Sequence, residues 1–142
     1  MITVKQLLDA KGYEVWSIAP VDTVFNALKL MAEKEVGALA VTVGDKLVGV
    51  ITERDYARKV ILKGKSSHQT LVREIMVTRV VYARLDQALD ECMALMTDKR
   101  VRHLPVFEGE KFVGIISIGD LVKAIIAEQQ FVIEQLEQYI SG

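Results

Sequence analysis

Gly49-Val50-Ile51-Thr52-Glu53-Arg54-Asp55 and Gly114-Ile115-Ile116-Ser117-Ile118-Gly119-Asp120 carry one pattern: a glycine, two apolar residues, a hydroxyl, and a carboxylate three residues after it. The shift that takes Gly49 onto Gly114 also takes Val36 onto Val101, Leu39 onto Leu104, Val41 onto Val106, Gly44 onto Gly109 and Lys46 onto Lys111. Upstream it takes Leu30 onto Leu95, Met31 onto Met96 and Lys34 onto Lys99, so the repeated segment is long enough to hold a helix. The chain is a tandem repeat, and an architecture assigned to one copy is assigned to both.

Working outward, periodicity sets the elements. Val24, Ala27, Leu28 and Met31 fall at i, i+3, i+4 and i+7, as do Leu89, Cys92, Met93 and Met96, which predicts one amphipathic helix per copy. Asp22 and Asp86 are the expected N-caps. Apolar runs follow at 38–43 and 104–107, then turns on Gly44-Asp45 and Gly109-Glu110, then runs at 47–51 and 112–116, which read as two-stranded hairpins. Thr52 or Ser117 opens a second helix near Asp55 or Asp120, and 15–18 and 80–83 supply first strands. Each copy is thus strand, helix, strand, strand, helix, a mixed α/β (α+β) unit.

Composition bounds the function. The 142 residues, 51% of them apolar, are enough for one compact body with a core. A net charge of −1, with the basic cluster Arg54, Arg58, Lys59, Lys63, Lys65 broken by Glu53 and Asp55, argues against nucleic acid. No apolar run approaches the roughly 20 residues of a membrane span. Met1 to Ala10 holds Lys5 and Asp9 among its apolar residues and does not read as a signal peptide. The lone Cys92 lies on an apolar helix face, reads as core filler, and fits a reducing cytoplasm.

Between the copies, Lys63 to Gln69 reads as a polar surface loop, with His68 solvated in it and no second ligand at metal spacing. Leu121, Ile125, Val132, Leu136 and Tyr139 extend the final helix from about Asp120 to Ile140. With Phe131, Ile133 and Ile140 besides, its second half has more apolar surface than one side needs, which points to packing on a partner subunit.

The hydroxyl-and-carboxylate pattern has two readings. A Ser or Thr with an acid at +3 is a capping box, satisfying backbone donors at a helix start. It is equally a helix N-terminus whose hydroxyl faces a phosphate while the carboxylate accepts from ribose hydroxyls. Duplication does not separate them, because a duplicated cap is duplicated too.

Pro20, the helix ending at Met31, Val41 and Gly49-Val50-Ile51-Thr52 with Asp55 resemble the paired cystathionine-β-synthase (CBS) domains of adenosine-ligand-sensing modules. The second copy matches more closely, through Val101-Arg102-His103-Leu104-Pro105-Val106 and Gly114-Ile115-Ile116-Ser117 with Asp120. Val72-Arg73-Glu74-Ile75-Met76 resembles the family's lead-in helix, with Val4-Lys5-Gln6-Leu7-Leu8 as its looser counterpart. Thr52 to Lys59, Ser117 to Lys123 and the ending Gln138-Tyr139-Ile140 resemble small stand-alone bacterial CBS-pair proteins, while Ala40 departs from the family's usual proline. By this resemblance residues 1–65 are one repeat with its lead-in helix, 66–127 the second, and 128–142 a helical extension.

The resemblance implies pseudo-twofold pairing of the copies around two clefts. One would set Thr52 and Asp55 against Val80, Val81, Val101 and Arg102; the other would set Ser117 and Asp120 against Trp16, Ala19, Val36, Gly37 and Ala38. Arg102 stands where the first copy has Gly37, so the Thr52 cleft is expected to hold phosphate better, with Arg54 and Arg58 as further cations. His103 is read as a phosphate contact, with a packed histidine as the other reading. The implied function is regulatory: a non-catalytic sensor of AMP, ADP, ATP or NAD(H), a homodimer whose conformational change is read by an effector protein. An enzyme would need a nucleophile and base or a metal set, and neither two histidines far apart nor any Gly-x-Gly-x-x-Gly or phosphate-loop lysine supplies one. The rivals kept are a purely structural dimerisation module with vestigial clefts and an S-adenosylmethionine-binding pair, the latter weakened by Arg102.

Overall fold

The computed structural model describes residues 2–141, along which run α1 (Val4–Lys11), β1 (Ser17–Ile18), α2 (Val24–Lys34), β2 (Ala38–Val43), β3 (Lys46–Thr52), α3 (Glu53–Lys59), a 3₁₀ turn (Ile61–Lys63), α4 (Val72–Ile75), β4 (Ala83–Arg84), α5 (Leu89–Lys99), β5 (His103–Glu108), β6 (Lys111–Ser117) and α6 (Ile118–Ser141). Each repeat has the expected order and makes its own three-stranded sheet, β1-β2-β3 or β4-β5-β6, with the first pair parallel and the second antiparallel. Even the irregularity is copied, for the hairpin register shifts between Val41 and Thr42 and again between Val106 and Phe107.

The residues form two compact units, Glu14–Val81 and the pair of segments Met1–Tyr13 with Tyr82–Gly142. The packing therefore groups the chain differently from a division at residue 65: α1 packs with the second repeat, and α4 with the first. In the unit Glu14–Val81, Val24, Ala27 and Met31 of α2 meet Ile18, Leu39, Val41 and Ile51 of the sheet, and Val72 and Ile75 of α4 close the cluster. In the other unit Leu89, Cys92 and Met96 of α5, Leu104, Val106 and Ile116 of the sheet, and Leu121 of α6 are buried along with Val4, Leu7 and Leu8 of α1. Burying each of the larger of these side chains is worth roughly 1.5–3 kcal/mol, which holds the lead-in helices despite their shortness.

Gly49 and Gly114 sit where those lead-in segments press on the sheet. A Cβ at Gly49 would lie 2.9 Å from the Val77 carbonyl oxygen and 2.8 Å from Met76 Sδ, and one at Gly114 would lie 3.2 Å from a Leu8 methyl. Val50 and Val77 exchange backbone hydrogen bonds of 3.0 and 2.9 Å there, so the chain after α4 is tied to β3 itself.

Local readings need four corrections. The cap of α2 is Thr23, whose hydroxyl accepts from the Asn26 N–H at 3.1 Å; Asp22 stands behind it, accepting from the Thr23 N–H at 2.8 Å. The residue before α5 is Ala88, which has no capping side chain, and Asp86 lies exposed with Arg84 Nε at 3.5 Å. The first strands are two residues each, because the parallel ladder extends only where Ser17–Ile18 meet Ala40–Val41 and Ala83–Arg84 meet Val106–Phe107. His68 is exposed as expected but not simply solvated, since its ring stacks on Phe25 at 4.0 Å. Among the described residues no helix is long and apolar enough to cross a membrane.

Candidate functional site

In the unit Glu14–Val81, β3 ends at Thr52 and α3 begins one residue later, so the hydroxyl stands at the helix start. Thr52 Oγ1 accepts from the Asp55 N–H at 3.1 Å, while Asp55 Oδ2 accepts from the Thr52 N–H at 2.9 Å. The capping box is thus made, and Asp55 is buried in making it, at 8% exposure. Its other oxygen, Oδ1, lies 3.2 Å from Lys59 Nζ one turn along α3. The same ammonium donates to the Ile75 carbonyl at 2.8 Å, which joins α3 to the end of α4.

Chain crossing the head of α3 completes this corner. The Gly37 carbonyl accepts from the Glu53 N–H at 3.1 Å, Ala38 is the register partner of Thr52, and the Val36 N–H donates to the Met31 carbonyl at 3.0 Å. Val36, Gly37 and Ala38 are therefore gathered with Thr52 and Asp55. Arg54 is half-buried beside them on α3, and Arg58 is exposed on its last turn. Val80 and Val81, half-buried, follow α4 outside any strand. Trp16 packs against the core and carries Lys34 Nζ 4.2 Å above its ring, while Ala19 opens onto a groove of about 410 Å³ along Asp22, Asn26 and Glu33 of the α2 side.

The unit holding the second repeat builds the same corner with other charges. Ser117 Oγ accepts from the Asp120 N–H at 3.1 Å, and Asp120 Oδ2 accepts from the Ser117 N–H at 2.8 Å. The Arg102 carbonyl accepts from the Ile118 N–H at 2.9 Å, His103 is the register partner of Ser117, and Val101 donates its N–H to Met96 at 3.1 Å. The counter-ion is Lys11, at the end of α1: its Nζ lies 2.6 Å from Asp120 Oδ2 and donates to the Ile115 carbonyl at 2.9 Å.

These neighbours set the titration of the corner. Burial, the largest influence on Asp120, pushes its carboxyl up, but the Lys11 ammonium and the bonds from Ser117 together hold it below the ordinary carboxylate range. His103 titrates below its ordinary value, first because it is buried and then because Lys11 and Arg102 lie near, with Asp120 opposing. Cys92, away from this corner, is buried, and that burial, with Glu91 and Asp90 adding, pushes its thiol up to about 11. Among the described residues no group of three or more His, Cys, Asp or Glu is placed to hold a metal ion.

Two lysines were missing from the residues singled out by sequence. Lys59 was legible, being one helical turn from Asp55. Lys11 was not, because nothing in the spacing along the chain ties it to Asp120.

A sequence profile described as the CBS domain matches residues 4–62 and 72–127. A solved CBS-domain protein of Burkholderia ambifaria MC40-6, assigned to signal transduction, is 53% identical, with a TM-score of 0.87 over 90% of this chain and 96% of that one. The mitochondrial CBS domain-containing protein CBSX3 of Arabidopsis thaliana is 40% identical over 138 residues, which make up 94% of this chain and 66% of that relative. The CBS domain pair of protein MJ0100, solved with 5-methylthioadenosine and S-adenosyl-L-methionine, shares the fold at a TM-score of 0.79 and 23% identity, over 90% of this chain and 98% of that one. With the profile matched twice and over most of its length, the chain belongs to the CBS-domain family and carries two copies of that domain.

Proposed function

We propose that the chain is a regulatory, non-catalytic module that binds an adenosine-containing ligand and signals to an effector protein by a change of conformation. The observation that carries this reading is the corner built twice, in which a hydroxyl at a helix start stands hydrogen-bonded with a largely buried carboxylate. A helix start with a hydroxyl suits a phosphate, and a carboxylate suits the two hydroxyls of a ribose. AMP is the leading ligand, and ADP, ATP and NAD(H) share its adenosine half. The same fold holds two adenosine compounds in MJ0100.

A homodimer is part of the proposal. On the second half of α6, Phe131, Val132, Ile133, Leu136, Tyr139 and Ile140 are all exposed, Tyr139 to 87% and Ile140 to 82%, and no other described part of the chain covers them. A ligand shifts such an assembly only by its unequal affinity for two arrangements, so the effector must read that difference.

Isothermal titration of ligand-stripped protein with AMP, ATP, NADH and S-adenosylmethionine tests the reading, repeated on Asp55→Ala and Asp120→Ala with light scattering on the same samples. The expected outcome is a dimer that binds adenosine compounds, each substitution removing one class of site. A dimer that binds none of them is instead a structural module.

A further inference from the structure

The Ser117–Asp120 corner contains a cation that the repeat does not carry. The shift between copies puts Ala124 in α6 where α3 has Lys59, so α6 has no ammonium at the matching position. Lys11 arrives from α1 instead, and its Nζ, 2.6 Å from Asp120 Oδ2, shares that oxygen with the Ser117 N–H at 2.8 Å. The ammonium is therefore beside both the carboxylate and the hydroxyl residue of the corner. Lys11 and Asp120 keep 37% and 22% side-chain exposure, so the pair is open to a ligand.

A ribose hydroxyl that donates to Asp120 Oδ2 competes there with Lys11. With neutral adenosine the ammonium loses its partner and gains no anion. With a phosphorylated adenosine compound it swings, on a flexible four-carbon stem, to a phosphate near the Ser117 hydroxyl, and both charges stay paired. We propose that Lys11 is the specificity-determining cation of the Ser117–Asp120 corner, leaving Asp120 for the ligand's phosphate so that this corner takes phosphorylated adenosine compounds over adenosine itself. The proposal rests on the nucleotide reading of the corner and adds to it the residue that selects among adenosine compounds. It also sets against S-adenosylmethionine, which would bring a sulfonium towards the ammonium it displaces. In the Thr52–Asp55 corner the lysine comes from the same helix and pairs with Oδ1 at 3.2 Å while the cap N–H uses Oδ2, so an ammonium sharing the cap's own oxygen is particular to the second repeat.

The test is an NMR titration of the full chain with AMP and with adenosine, followed at the Ser117 and Gly119 amides, for the natural protein, Lys11→Met and Lys11→Arg. The natural protein is expected to prefer AMP by about 10- to 100-fold, the range of one charge-assisted bond. Lys11→Met should bring the two ligands within about threefold of each other, with adenosine bound no more weakly than before, and Lys11→Arg should restore the preference. Equal weakening of both ligands by Lys11→Met would make Lys11 a merely structural residue and overturn the proposal, as would an undiminished preference. If neither ligand moves either amide in the natural protein, the nucleotide reading of the corner falls and the proposal with it; binding without dependence on Lys11 overturns the role of Lys11 alone.

Discussion

In the unit Glu14–Val81 the carboxylate at the head of α3 takes its counter-charge from Lys59 on the same helix, 3.2 Å away, whereas Asp120 at the head of α6 takes its own from Lys11 on α1, 2.6 Å away. The capping boxes at the heads of α3 and α6 and the hairpin shifts are local, and both copies have them. The counter-charge is tertiary, and the two copies meet the same need from opposite directions. In each unit, however, the lysine ties a lead-in helix to the carboxylate helix: Lys59 reaches from α3 to the carbonyl at the end of α4, and Lys11 reaches from α1 to α6. What is shared is therefore a clasp, and the residue that makes it differs.

The largest effect expected to separate the units is at their shared glycine. Gly49→Ala drives a methyl against a backbone carbonyl and should cost about 2–3 kcal/mol in urea denaturation; Gly114→Ala meets only movable Leu8 methyls and should cost about 1 kcal/mol or less. Equal losses would mean that the lead-in segments are held equally tightly, and the asymmetry of the contacts would not matter.

Next is a dependence on pH confined to the second repeat, since His103 has Ala38 as its counterpart. His103 in the folded chain sits below its ordinary 6.5, so the unfolded chain binds the proton more readily. The stability this neutral histidine contributes is present above pH 6.5 and is lost as pH falls through the folded value. Asp120 has the same sign around its ordinary 3.8: the clasp stabilises above that value and fails as pH falls through the lower folded one. Thermal melts at stepped pH should show both limbs, and His103→Gln should flatten only the upper one.

The smallest effect tests likeness rather than difference. Glu35 and Arg100 end α2 and α5 in the left-handed region, each at φ 55, without the glycine that conformation favours. Glu35→Gly and Arg100→Gly should each gain about 0.5 kcal/mol in thermal melts, and a gain at only one would show that the two helix ends are not equivalent.

Much of this was legible from periodicity, because the repeat carries its own check: α2 and α5 bury the i, i+3, i+7 positions, and the hairpins fall within a residue of their expected bounds. The N-cap of α2 was missed because Asp22 and Thr23 are both good caps side by side, and only backbone geometry at Thr23 decides. The exchange of lead-in helices was not legible, since α1 and α4 have the same apolar pattern and either could cover either sheet. For the candidate site, the hydroxyl and carboxylate were readable as a motif, while the ranking of the two ends by Arg102 left out Lys11, whose pairing with Asp120 exists only after folding.

The discontinuity of one unit also orders events during synthesis. Glu14–Val81 is a single stretch of chain and can close as soon as α4 has been made. Val4, Leu7 and Leu8, made before that stretch, must wait for β4, α5 and the second hairpin before they find their seats. A fragment meant to hold the first repeat alone should accordingly start at Glu14 and run through Val81, leaving behind a leading helix that belongs to its neighbour.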